Sequence, residues 1–437
     1  MLSAEKNQIL TEVGPDKPMG QLLRRYWHPI GAAAELIEKA TKPIRLMGED
    51  LVVYKDLSGN FGLVHRRCAH RGADLAYGTV EKCGLRCLYH GWLYDSDGQC
   101  IAQPYEDMVS PKGRHKKNVR LKAAYPVQEK SGLLWAYLGP EPAPLLPDWE
   151  PFTWKNGFRQ IVISEIHCNW FQCQENSIDP VHFEWLHENW ASVQQNGEAN
   201  APRHLKLAFD EFEFGFVYKR VREGGDEDNE QWTTGRVALW PNCFFLGDHF
   251  EWRVPIDDTK TLSIMLVFNS VPKDREPFEQ DRIPYWYAPL KDPETGEWIT
   301  SHVVNQDMLV WSSQGIIADR TQEHLVRSDR GIIMMRNRFF SDLEKIKTGE
   351  DPKGLIRDQK KNQGVQLPIV GKEQYTAGLS QEEIEANPNY IAGRPRGYLY
   401  SAGQPEEIRK SYEAAMGFET QEYSVEFLTG KPLVKKE

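Results

Sequence analysis

Residues 68 to 92 read CAHRGADLAYGTVEKCGLRCLYHGW, and no other stretch restricts the fold as tightly. Cys68 and His70 form a CxH pair and Cys87 and His90 a CxxH pair, so two loops each present one thiolate and one imidazole. Gly72 and Gly91 let the backbone turn tightly beside each pair. Two Cys on one iron and two His on the other are the ligands of a Rieske [2Fe–2S] centre, where neutral imidazole raises the reduction potential above that of an all-thiolate cluster. The competing reading is a structural zinc site, which paired Cys and His also suit. Zinc modules, however, separate like ligands by about two to four residues, whereas each loop here mixes the two kinds. Cys83 and His65, close to the ligands, are expected to be packing or surface residues.

Loops of this kind need a rigid frame. PIRLMG, DLVVYKD and FGLVHRR are short β-type runs separated by GED and SGN turns, and SGLLWAYLG closes what reads as a small antiparallel β domain. The prolines of GPEPAPLLPDWEPF then mark a linker. Beyond it, FRQIVISEI, LKLAFDEFEFGFVYKRV, GRVALWPNCFFL, EWRVPID and TLSIMLVF form a larger set of strands with helices interleaved. SDRGIIMMRNRFFSDLEKIKTG predicts a helix from a Ser328 cap to Gly349, with Ile332, Met335, Phe339, Leu343 and Ile346 on one face. Ser380 and Glu383 form a capping box, and QPEEIRKSYEAAMG predicts a helix between Pro405 and Gly417. The class is α+β. The expected division is N-terminal helices at 1–41 packing on the catalytic domain, a Rieske domain at 42–140 and a catalytic domain at 141–437.

With 437 residues there is room for two or three domains, and 40% hydrophobic with 27% charged residues is the balance of a globular protein. A net charge of -10 argues against a nucleic-acid partner, since phosphates are held by clustered Lys and Arg. No apolar run approaches the roughly 18 residues of a membrane span and no export signal opens the chain, so no membrane association and a cytoplasmic location are expected. Seven cysteines, an odd number, favour metal binding over a disulfide framework.

NWFQCQENSIDPVHFEWLHENW, residues 169 to 190, holds a second constellation: Glu175, Asn176, Asp179, His182 and His187. Asp179 before Pro180 reads as a helix N-cap with proline at the first helical position, which sets Asp179 beside His182 at i and i+3. His187 lies five residues further on, about 500° of helical rotation, so both imidazoles reach one metal only if the helix bends or carries a bulge. Two His with one carboxylate leave open positions on a non-haem Fe(II). Taken alone, an HxxxxH on an aromatic-rich helix reads as one buried and one exposed histidine; the surrounding motif reverses that reading.

Residues 175 to 187 match ENxxDxxHxxxxH, and with CxHRG…CxxHGW before it the chain resembles the Rieske non-haem iron aromatic-ring-hydroxylating oxygenase α subunits. The N-terminal MLSAEKNQILTEVGPDKPMGQLLRRYWHPIGAAAEL and ADRTQEHLVRSDRGI are similar to the phthalate-dioxygenase-like branch, in which the resemblance points toward the lignin-derived biaryl O-demethylases. The resemblance implies a catalytic domain of helix-grip, Bet v1-like form, an antiparallel sheet flanked by helices. It implies that His182 and His187 bind the catalytic iron, with Asp307 in VVNQDMLVWSSQG as third ligand ahead of Asp319, Glu323 and Asp329. Asp179 would link that iron to the Rieske ligand His90 of an adjacent subunit in a homotrimer or dimer of trimers, with Asn176 beside it in the catalytic motif. Ser312 departs from the Glu of many relatives.

No GxGxxG follows a strand and no plant-type four-cysteine set is present, so NAD(P)H is expected to act through a separate flavin and iron–sulfur reductase, with or without a ferredoxin. Arg66, Arg67 and Arg71 are candidates for the docking surface. With O2 as co-substrate, the implied reaction is oxidation of an aromatic acid, O-demethylation of a methoxylated one being preferred. Ring hydroxylation of a phthalate- or phenoxybenzoate-like acid is the alternative, and a non-enzymatic Rieske electron carrier is the alternative of another class. Arg203 and Arg236, in the predicted catalytic strands, are candidates for holding the acid.

Overall fold

The computed structural model describes residues 1–110, 116, 118–190, 193, 197–376, 380, 382–383 and 401–417. In the Rieske-motif region the β runs pair as hairpins. Thr41–Leu46, Glu49–Lys55, Phe61–His65 and Ala124–Tyr125 form one four-stranded antiparallel sheet. Its first turn depends on Met47 and Gly48, both at positive φ, the second without steric penalty because it is glycine. Thr79–Glu81, Gly84–Arg86, Leu93–Tyr94 and Cys100–Ala102 make a second sheet, and Trp27–Ala32, Leu133–Tyr137 and Val127–Lys130 a third. Alternation along these strands turns Val52, Tyr54, Val64, Leu85 and Tyr94 into one core that also receives Cys68 and Cys87.

Contacts assign residues 12–144 and 254–258 to this unit. That differs from the division expected at 42 and 141. Trp27–Ala32 pairs with Leu133–Tyr137, so residues 12–41 are tied to the Rieske-motif strands, while the helix Ala4–Thr11 belongs to the other unit. The boundary after Pro144 falls inside the proline-rich segment.

His28, wholly buried in Trp27–Ala32, donates from Nε2 to the Leu23 carbonyl at 2.8 Å, and burial pushes its imidazole down to about 4. An unfolded chain binds that proton near 6.5, so the stability His28 contributes is complete above pH 6.5 and is lost as the pH falls towards 4. The shift corresponds to about 3 kcal/mol. The thermal midpoint is expected to drop between pH 7 and 5, and His28→Gln to flatten that part of the profile. Wild-type and variant profiles of equal slope would count against it.

The larger unit, residues 1–11, 145–253 and 259–437, is built on an eight-stranded sheet. In spatial order its strands are His204–Phe212, Gly215–Arg222, Arg236–Leu239, Cys243–Phe245, His249–Asp257, Lys260–Ser270, Gly157–Ile166 and Tyr285–Tyr287. The sheet is mixed rather than wholly antiparallel, because Tyr285–Tyr287 lies parallel to Gly157–Ile166 at the edge. Ser270 pairs with Gly157, so the chain leaves at that strand's beginning and re-enters on its far side running the same way. Phe158, Val162, Met265, Val267 and Trp286 from the sheet pack with Val304, Met308 and Trp311 and with Ile408, Tyr412 and Met416.

These last two sets come from the helices Val303–Ser313 and Glu406–Met416, the latter ended by Gly417 in the left-handed region. The helix Arg330–Lys347 buries Met335, Phe339 and Leu343 as the periodicity predicts. It begins at Arg330 with Asp329, not Ser328, in the capping position, since Arg327–Asp329 forms a short 3-10 turn in which Asp329 Oδ2 accepts from the Val326 amide at 2.7 Å. Ser380 and Glu383 make the reciprocal capping-box bonds at 2.8 and 3.2 Å, but residues 384–390 after them lie outside the described ones. No described helix is long and apolar enough to cross a membrane.

Candidate functional site

Two like-built loops carry the first group of ligands. The Gly72 amide donates to the Cys68 carbonyl at 2.9 Å and the Gly91 amide to that of Cys87 at 3.0 Å. Gly72 and Gly91 have φ of +72° and +73°, where a side chain would be strained. The Cys68 amide donates to Ala73 and that of Cys87 to Trp92, so each loop is closed twice. Cys68 and Cys87 are buried, while the rings of His70 and His90 lie 4.5 Å apart on the exposed side. His70 stacks on Trp92 at 4.4 Å, which fixes its plane.

Two thiolates on the inner side and two imidazoles on the outer side fit a Rieske [2Fe–2S] cluster. Burial, with Cys68 close by, pushes the Cys87 thiol up, whereas desolvation and the neighbouring His70 and Arg71 push His90 down, the direction that suits a metal-binding imidazole. The Tyr94 hydroxyl, 3.2 Å from Cys68 Sγ, is a partner that motif reading does not identify. Cys83 is exposed and the His65 ring, among the described residues, bonds to the Arg67 backbone alone, so neither joins the group. Of the three arginines, Arg66 is held by Asp74 at 2.6 Å, Arg71 lies over the Tyr89 ring and Arg67 is exposed.

The second group is assembled from two helical segments of the larger unit. Trp170–Asn176 starts at Asn169, whose side chain accepts from the Phe171 amide, and ends before Asp179. Asp179 Oδ1 then accepts from the Val181 amide at 2.9 Å, closing a turn just ahead of the helix rather than capping it, since His182 occupies the N-cap position. The next turns, Phe183–Asn189, are π-helical. With i→i+5 bonding, residues five apart stack one above the other, which is how His182 and His187 come to face the same point.

Val303–Ser313 supplies the third member. Its buried face runs through Val304, Asp307, Met308 and Trp311, so Asp307 occupies a position that helical spacing gives to an apolar residue. A buried carboxylate needs partners. Asp307 Oδ1 lies 3.4 Å from His187 Nε2, 3.7 Å from His182 Nε2 and 3.4 Å from Asn176 Nδ2. One donor atom from each of His182, His187 and Asp307 lies within 4.8 Å of the others, a spacing that fits one metal ion held by two His and a carboxylate.

Burial alone would raise Asp307, but the two imidazoles hold it below the usual carboxylate range. Desolvation is also the largest influence on His187, yet Asp307 and Gln306 together outweigh it and push the imidazole up; at His182 desolvation prevails and pushes it down. Gln306 is a functional neighbour that the sequence does not flag. Its Nε2 donates to the Thr300 carbonyl at 2.8 Å, so its Oε1 is the atom that meets His187 Nδ1 at 2.9 Å. The imidazole therefore donates from Nδ1, leaving Nε2 bare toward the centre.

The competing acids are engaged elsewhere. Glu323 is paired with Arg336, Asp319 accepts from the Thr321 amide and hydroxyl, and Asp329 caps its own turn. Glu175 accepts from both Arg320 and Arg336 in a buried ion cluster and takes no part in the ligand group. Arg203 is exposed and bound to Glu223, away from any such role, whereas Arg236 lies 4.8 Å over the ring of Phe183, a neighbour of both histidines.

Comparison with known proteins gives a match to the Rieske [2Fe-2S] domain model over residues 26–112 and to the LigXa C-terminal domain like model over residues 251–386. The chain is 57% identical to the 5,5'-dehydrodivanillate O-demethylase oxygenase subunit of Sphingobium sp. (strain NBRC 103272 / SYK-6), over 95% of this chain and 97% of that one. It is 30% identical to the phenoxybenzoate dioxygenase subunit alpha of Ectopseudomonas oleovorans, over 79% and 87%. Among solved structures, Pseudomonas putida CBB5 NdmA covers 76% of this chain and 94% of its own, at a TM-score of 0.52 and 21% identity, a likeness of fold.

Proposed function

The chain belongs to the Rieske non-haem iron oxygenases, as a terminal oxygenase subunit of the branch that includes phthalate and phenoxybenzoate dioxygenases, and from that premise we propose that it removes the O-methyl group of a methoxylated aromatic acid. Members work with a Rieske cluster, a mononuclear iron, O2 and NAD(P)H electrons brought by a reductase. The observation that carries the substrate reading is the 57% identity, over nearly the full length of both chains, to an O-demethylase subunit.

In this reading Cys68, His70, Cys87 and His90 hold the cluster, and His182, His187 and Asp307 hold the iron. The iron, when bound, supplies open positions at which dioxygen is activated with electrons from the cluster. The chain's own groups do the rest. Gln306 fixes the tautomer of His187, Asn176 donates to Asp307, and Asp179 orients His182 and bridges to His90 of the partner subunit in a homotrimer or dimer of trimers. The electron donor is a flavin and iron–sulfur reductase, directly or through a ferredoxin. It docks on the exposed side of the Rieske loops, where Arg67, Arg71, Leu88 and Tyr89 face solvent. The working compartment is the cytoplasm.

A bare electron carrier would leave the half-buried His182 and the buried His187 and Asp307 without a task. The test is product analysis with a surrogate reductase, NADH and 5,5'-dehydrodivanillate. Formaldehyde is expected in a 1:1 ratio with the demethylated phenol, about one per NADH consumed. Ring-hydroxylated product without formaldehyde would instead support the phthalate-like alternative.

A further inference from the structure

We propose that Arg220 and Arg236 form the seat of the substrate's carboxylate beside the metal centre, a step that rests on the aromatic-acid reading above. Tyr218 pairs directly with Arg236 between the strands Gly215–Arg222 and Arg236–Leu239. Opposite residues share a face of the sheet, as do alternate residues along a strand, so Arg220, Arg222 and Arg236 all leave the same face. Phe183 lies over that face. The three guanidinium carbons stand 4.5, 5.8 and 4.8 Å from its ring centroid.

Only one of the three is neutralised. Arg222 forms a fork with Glu188 and also donates to the Pro202 carbonyl. Arg220 is 3% exposed, makes a long 3.3 Å bond to Gln231 Oε1, and its buried Nη1 has no partner among the described residues. Among the described residues no carboxylate lies within ion-pair distance of Arg220 or Arg236. A buried guanidinium beside a half-buried one, with no counterion for either, is unfavourable unless an anion joins them. Burial and the charges of Arg236 and Arg222 push Arg220 down to about 9, in the same sense.

The position suits a substrate group. The Phe183 ring is 5.4 Å from that of His187, and His187 feels the charge of Arg236. An anion between the arginines would thus sit about one aromatic ring from the His182, His187 and Asp307 donors, and a guanidinium fork matches a carboxylate in shape and charge.

The experiment compares binding and turnover of 5,5'-dehydrodivanillate and its diamide by the iron-loaded enzyme, with tryptophan fluorescence for Kd and formaldehyde for rate. Wild type is expected to prefer the acid by about tenfold or more, and Arg220→Gln and Arg236→Gln each to raise Kd and KM for the acid about tenfold while changing those for the diamide less than about twofold. The Rieske visible spectrum and thermal midpoint report folding, and the partly exposed Arg236→Gln decides should Arg220→Gln fail to fold. A wild type that treats acid and diamide alike, or an Arg236→Gln variant that keeps the full preference, overturns the seat. Acid preference without formaldehyde would leave the seat standing and remove demethylation; equal formaldehyde from both compounds would do the reverse.

Discussion

Asp307→Ala is expected to release the mononuclear iron while the Rieske cluster stays, so that iron falls from about three to about two per chain and turnover drops to background. Asp307 is the only carboxylate among the described residues grouped with His182 and His187, and the other acids considered for the role are tied to Arg336, to Thr321 or to a helix cap. Without it two neutral imidazoles remain, one of them depending on Gln306 for its orientation. The loss of iron affinity should therefore exceed the ~10–100-fold typical when only a partner of a ligand is removed, which is the range expected for Gln306→Ala. The visible spectrum of the cluster serves as an internal control, because Cys68, His70, Cys87 and His90 belong to the other unit. Full iron and undiminished turnover in Asp307→Ala would remove Asp307 from the ligand set.

What the sequence made legible follows from how local each constraint is. The Rieske loops were readable because all four ligands and both turn glycines sit within one short stretch, and Gly72 and Gly91 adopt the positive φ the reading required. The π-helical turn was legible as a geometric need: five residues between His182 and His187 cannot be reconciled with a regular helix and one metal, and Phe183–Asn189 supplies the irregularity. Asp307 required the family resemblance, since its helix alone shows only an acid in an apolar stripe. Gln306 and Tyr94 were not legible at all. Each acts through a contact that only the fold creates, Gln306 by reaching His187 119 positions away in sequence. The same holds for the pairing of Trp27–Ala32 with Leu133–Tyr137, which moved residues 12–41 into the Rieske-motif unit, and for the parallel edge strand Tyr285–Tyr287. Long-range register leaves little trace in local periodicity.

Asp179→Asn is expected to keep both metals and the folded structure yet to lower coupled turnover by about 100-fold, the upper end of the range for a group that acts through a metal ligand. The carboxylate has two separable jobs. Oδ1 accepts from the Val181 amide at 2.9 Å and closes the turn that leads into the helix, while Oδ2 lies 3.8 Å from His182 Nδ1, a buried nitrogen with no hydrogen-bond partner among the described residues. Asparagine makes the same turn bond as aspartate, so the first job survives the substitution; alanine would also lose that bond, at about 1 kcal/mol. In the proposed bridge, what asparagine lacks is the charge and the second acceptor oxygen that would hold His182 on one side and His90 of the partner subunit on the other. Chemical reduction of the cluster should be unchanged in the variant, and its reoxidation in a single turnover with O2 and substrate should be slow. If Asp179 served only this turn, Asn would behave like wild type and Ala alone would be impaired. A stalled electron in Asp179→Asn with the helix intact would instead trace the fault to the bridge between the centres.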